Sequence, residues 1–291
     1  MLTVLLGLSG ALFYGFADFA GGLASRKRRP LVVTTLAAIV GIVPLLVGLL
    51  VLGGRLTPEA ILWGTVAGVS GSIGVLLLYA VLATGPMSVL SPLTAVFSSL
   101  VPVLVAVASG TRLSPLAIGA IAVAIIAVVL VSSAKNTTGA RLTLKGLLMA
   151  AVAGCGFGGL VLAYDQTSPD DGASPLLVAR VVQSLLMAGA LLITRRRAAS
   201  SATALSSPMD RSFWLIVIAC GIADAAANVF IQAALHSSSD PATLPVVSVL
   251  NALYPIGTII LASIVLRERL SIIQVGGIAL GLTASVVLAL A

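Results

Sequence analysis

The sequence predicts an all-α membrane protein of ten transmembrane helices in two inverted five-helix repeats, 1–134 and 143–291. Three observations lead there. The 291 residues are 59% hydrophobic and 9% charged, against about 25% charged in an ordinary soluble domain. So little polar surface cannot face water all round. Ten apolar runs each approach the roughly 20 residues a helix needs to cross a hydrocarbon core about 30 Å thick. Finally, one stretch of the chain lies over another at a constant offset of 157 residues.

The runs follow in order. The first, 2–25, ends on the basic block RKRR (26–29), and 31–52 and 60–82 follow with short links. The turn TGP (84–86) precedes 87–109, and TRLS (111–114) leads into 115–133. The second half opens with 143–163 and the acidic loop DQTSPDD (165–171), then 174–194. The longest connection, 195–212, is rich in Arg, Ser and Ala and divides no domain. Runs 213–235, 242–265 and 271–290 complete the chain, with SSSDP (237–241) between the first two. The N-terminal run lacks a basic segment before it, so it reads as a span and not as a cleaved signal.

Lys and Arg settle orientation. Loops after runs 1, 3, 5, 7 and 9 carry 13 of them, and loops after runs 2, 4, 6 and 8 carry only Arg55 and Arg112. The positive-inside rule then puts both termini outside the cytoplasm of a plasma membrane, bacterial by expectation. The net charge of +7 is therefore loop charge and indicates no nucleic-acid partner. Cys155 and Cys220 lack CxxC spacing and read as packing residues.

The offset of 157 places residues 88–121 over 245–278 without a gap. Ser91 meets Ser248, Phe97 meets Tyr254, TRLS meets ERLS (268–271), and Gly119 meets Gly276. Five crossings per half is odd, so the second half enters the membrane inverted, a construction that puts sites near the midplane between halves.

Four segments carry a family resemblance: ALFYGFADFAGGLASRK (11–27), the Gly-Pro turn before run 4, VARVVQ (178–183) and LYPIGTIILASIVLRERLSIIQVGGIAL (253–280). With these the chain resembles the drug/metabolite transporter superfamily, in its ten-helix EamA type. The resemblance implies a secondary active transporter of small metabolites, amino-acid-like or drug-like, with proton-coupled efflux through a central chamber. The first half departs from the pattern: TRLS stands for the usual ERLS, and run 2 has no arginine matching Arg180.

Three ionisable side chains fall within runs: Asp18, Arg180 and Asp224. Such groups cost about 2.5–3.5 kcal/mol at a helix centre and must face protein or a wet cavity. Asp18 lies eight residues before Arg26, roughly 12 Å from the cytoplasmic end at 1.5 Å per residue. It reads as a substrate or proton site, against a structural pair with Arg180 or an end cap. Asp224, Asn228 and Gln232 recur at i, i+4 and i+8 on one face of run 8. They line a cavity or glue helices together. Tyr14 joins Asp18 on run 1, Gln183 joins Arg180 on run 7, and Asn251 and Tyr254 form a polar face on run 9. There Pro255 frees a backbone carbonyl. Gly277 and Gly281 read as close helix packing, and Glu268 in RER (267–269) as an interfacial anchor. His236 reads as a surface or capping residue.

No GxxxxGK[ST] supports an ATP-driven pump, and no HExxH or Ser–His set supports an intramembrane enzyme. A nucleotide-sugar or lipid-intermediate transporter of the same architecture stays open. The expected partners are a small solute, the bilayer and protons, with no cofactor and no metal, in a monomer or homodimer.

Overall fold

The computed structural model describes residues 1–84, 87–132, 143–198, 209–266 and 271–290, and over these the chain is helix and short connection. In order, α1 spans Leu2–Lys27, α2 Pro30–Leu52, α3 Pro58–Thr84, α4 Met87–Ala108, α5 Pro115–Ser132 and α6 Leu144–Asp165. A 3-10 turn, Pro169–Asp171, follows. Then come α7 Ser174–Ala198, α8 Arg211–Leu235, α9 Thr243–Asn251, α10 Tyr254–Val265 and α11 Ile272–Leu290. The Gly-Pro turn at 85–86, the RER segment at 267–269 with Glu268, and Ala291 lie outside the described residues.

Local chemistry starts these helices. Pro30, Pro58 and Pro115 each open one, where a missing N–H costs nothing and φ is already helical. Thr143 accepts the Gly146 amide at 3.1 Å to cap α6, and Asp210 accepts the Phe213 amide at 3.0 Å to cap α8. The Ser212 hydroxyl, that Phe213 amide and nearby Lys27 hold the Asp210 carboxyl below the usual carboxylate range. Lys27 also donates to Ser212 at 3.0 Å, joining the C-terminal end of α1 to the N-terminal end of α8.

Eight spans are long and apolar enough to cross a membrane among the described residues, with Thr243–Val265 counted whole. The remaining two, α5 and α11, pack chiefly on each other. Leu12, Leu46, Leu185 and Ile222 are exposed, as side chains facing lipid should be.

One predicted run is corrected. The single helix expected over 242–265 is broken at Ala252 and Leu253. Pro255 has no N–H to give the Asn251 carbonyl four residues back, and its ring crowds that carbonyl. The chain bridges the gap with tighter bonds, Leu253 N–H to the Leu250 carbonyl at 3.1 Å and Ile256 N–H to the Leu253 carbonyl at 3.0 Å.

Packing repeats between the halves. The pair α1–α8 matches α6–α3, the pair α2–α8 matches α7–α3, and α2–α7 and α5–α11 match themselves. The repeat extends beyond the stretch legible in the sequence. Gly221 of α8 and Gly64 of α3 stand 157 residues apart and do the same job. A Cβ on Gly221 would lie 2.5 Å from the Ala37 carbonyl oxygen, and one on Gly64 would lie 2.7 Å from that of Pro175. Val40 and Val178 are the next neighbours in each case. Both glycines let a helix rest on its partner's backbone. Gly221→Ala and Gly64→Ala should each destabilise the protein by about 1–3 kcal/mol through overpacking, read as a lower melting temperature in detergent. An unchanged value for either would mean the helices part at no cost.

Candidate functional site

The residues singled out on α1, α7, α8 and the broken ninth span all point inward. Arg180 is 7% exposed and donates through Nη2 to Asp224 Oδ2 and through Nη1 to Gln183 Oε1 at 2.6 Å. Of the two carboxylates the sequence offers Arg180, Asp224 is the partner. Gly41 of α2 makes room for the guanidinium: a Cβ there would sit 3.1 Å from Arg180 Nε. On α8, Asn228 Nδ2 donates to the Asp224 carbonyl at 2.7 Å, and its Oδ1 is buried without a partner.

Asp18 is 5% exposed, and among the described residues it makes no hydrogen bond or ion pair. It lines a cavity with Tyr14, Asn251 and Tyr254, closed by Phe157 and Leu160. The broken ninth span supplies two of those walls. Asn251 Oδ1 is also buried and unpaired, while Tyr254 donates its hydroxyl to the Ser91 carbonyl at 3.2 Å. A second cavity holds Tyr14, Arg180, Gln183, Asp224 and Asn228 against Gly68 and Gly71. Tyr14, Phe157 and Leu160 separate the two. Their volumes are about 10 and 20 Å³, and a water needs about 10–15 Å³. Each gap therefore takes one water and no solute: the centre is closed.

Gln232 lies one layer away, in neither cavity. It donates through Nε2 to Thr167 Oγ1 at 2.8 Å, and the same nitrogen is 3.2 Å from His236 Nε2. Thr167 donates on to the Tyr164 carbonyl at 2.7 Å. Thr167 and His236 form the floor of a vestibule of about 860 Å³ that opens where α4, α6 and α8 end. His236 is indeed the C-cap of α8, but it is also part of this floor. The sequence carried a signal for that: His236 continues the stripe of Asp224, Asn228 and Gln232 by one more step of four. Thr167, Tyr164 and Phe157 carried none.

The side chains packed toward the opposite, basic face are apolar. Phe19, Leu78, Leu82, Met87, Phe213 and Val217 pack there as one apolar cluster. Within it Tyr79 meets Cys220 Sγ at 3.1 Å, so Cys220 packs in the core, whereas Cys155 is exposed.

The halves part company at the ion pair. At the 157 offset Asp224, Asn228 and Gln232 correspond to Ala67, Gly71 and Val75. Ala37 and Val40 correspond by contact to Pro175 and Val178, which sets Ile42 opposite Arg180. The ion pair and the α8 stripe belong to one repeat, while Tyr14 and Asp18 come from the other.

Many apolar spans in a repeated arrangement, a vestibule on one face and buried polar side chains beneath it define a multi-pass membrane transporter. The sequence profile of the EamA-like transporter family matches residues 1–133 and 144–290. The chain belongs to that family, within the drug/metabolite transporter superfamily. No curated protein matches it in sequence. A solved structure described as "Crystal structure of protein" is similar in fold, with a TM-score of 0.74 at 16% identity over 99% of this chain and 96% of its own.

Proposed function

We propose that this chain is a secondary active transporter that moves a small amino-acid-like or drug-like metabolite out of the cell in exchange for protons. Residues 1–134 and 143–291 are its two moving units, and it sits in the plasma membrane with both termini outside. The reading rests above all on one observation. A wide vestibule opens at one end of the helices, and two gaps of one water each lie at the centre. Asp18 lines one of them with no hydrogen-bond or ion-pair partner among the described residues, and an apolar cluster packs toward the other end. A group so placed can take a proton or a solute but has no structural bond to give up for it. Alternating access would open the centre by rocking one unit on the other.

The vestibule orders accessibility along α8. In a background without Cys155 and Cys220, cysteine at Gln232 should react fastest with small hydrophilic thiol reagents, cysteine at Asn228 more slowly, and cysteine at Asp224 slowest. Cysteine at Ile222 or Phe230 should not react, since Ile222 is exposed on the lipid side and Phe230 stacks on Phe13 at 5.4 Å between ring centres. Substrate should slow labelling at Asn228. Uniform protection of the stripe would reassign these residues to helix packing.

A further inference from the structure

The chain carries a net charge of +7, yet the vestibule has the opposite character. Its described lining includes the carboxylates Asp165 and Asp240 and no Lys or Arg. Three helices, α4, α6 and α8, end at it and one, α9, begins there. Helix C-termini present carbonyl oxygens and the negative end of the macrodipole. Hydroxyls of Ser109, Thr111, Ser238 and Ser239 line the rest. Thr167 and His236 form the floor, and Gln232, 6% exposed, donates to Thr167 from behind it. A lining with two carboxylates, helix-end carbonyls and no Lys or Arg favours a ligand that is positively charged and donates.

Neither carboxylate is paired with a Lys or Arg among the described residues, and His236 of the floor lies within electrostatic reach of Asp165. Asp165 accepts from the Gln166 side chain at 3.3 Å, and Asp240 accepts from the Ala242 amide at 2.8 Å. Each keeps acceptor capacity facing the cavity. At about 860 Å³ the space matches a whole organic solute, since ligand sites run about 300–1,000 Å³. It is far larger than a desolvated metal ion needs.

We infer that the vestibule is a binding subsite for amine- or guanidine-bearing organic cations, held by Asp165 and Asp240 above the Thr167–His236 floor. The subsite narrows the substrate class of the transporter proposed above and rests on that reading for its physiological use. Its existence can be tested without transport.

Ser238→Cys lines the vestibule, and with Cys155 and Cys220 replaced it is the only thiol. In detergent-purified protein its reaction rates with a trimethylammonium and a sulfonate methanethiosulfonate are compared with those of free cysteine. Two unit charges at about 4 Å interact by about 1 kcal/mol even in water. The cation-to-anion rate ratio should therefore exceed that of free cysteine by about tenfold. D165N/D240N keeps the local hydrogen bonds and should bring the ratio to within about twofold of free cysteine, while the protein elutes unchanged on gel filtration. Agmatine should slow labelling more than sodium chloride of equal ionic strength. A ratio equal to that of free cysteine, or one indifferent to D165N/D240N, would overturn the subsite. Equal protection by sodium and agmatine would overturn its preference for organic cations. Failure of these arms leaves the transport reading standing, and loss of transport in a protein that passes them condemns only that reading.

Discussion

Arg180→Ile alone is expected to lower stability by about 3–5 kcal/mol, because it strands Asp224 as an unpaired charge in the protein interior. R180I/D224A together should recover most of that loss. The first repeat already uses Ile42 and Ala67 at the matching positions, so the fold tolerates an apolar pair there. Replacing a buried ion pair with apolar residues is often neutral. Thermal unfolding in detergent reads both variants. The double variant should be folded and transport nothing. If it transports at the wild-type rate, the pair is only a structural link between α7 and α8.

Asp18→Asn is expected to leave the protein folded and remove its response to a pH gradient. The substitution keeps the shape, and no bond among the described residues depends on the charge. One pKa unit of proton coupling is worth about 1.4 kcal/mol, or tenfold, so gradient-driven flux in proteoliposomes should fall by at least about that factor. Solute exchange without a gradient should persist if the carboxylate carries only the proton, and vanish if it also holds the solute. Normal gradient-driven flux would make Asp18 a bystander.

What the sequence made legible depended on how local the cause was. Span positions follow from hydropathy, which one stretch of chain determines alone, and the structure adds only a residue or two at most ends. The break in the ninth span was half visible. Pro255 announces a freed carbonyl, but whether a helix kinks or parts depends on what packs beside it. The stripe on α8 was readable because period and polarity coincide. It was read one step short, since His236 already looked like a loop residue. The choice of Asp224 over Asp18 for Arg180 was not readable, because it is made by how α7 and α8 both pack on α2. Phe157 and Leu160, which divide the central cavities, are ordinary apolar residues on an apolar helix. Only the packing of α6 on α3 and α4, which brings them to cavities shared with Tyr14, gives them a place.

The unequal halves carry a consequence for the resting carrier. In an inverted repeat of identical units, exchanging the conformations of the two halves turns an outward-open form into an inward-open one of equal free energy. The empty protein would then divide its time evenly between the sides. Here one half holds Arg180, Asp224, Asn228 and Gln232 where the other holds Ile42, Ala67, Gly71 and Val75. For a carrier that works by the alternating access proposed above, that difference would tilt the double well. A difference of about 1.4 kcal/mol already sets a ten-to-one occupancy, less than a single buried polar contact can supply. On the alternating access proposed above, four positions of α7 and α8 would help set the side on which the unloaded carrier waits, and the solute gradient would work against or with that standing bias on every cycle.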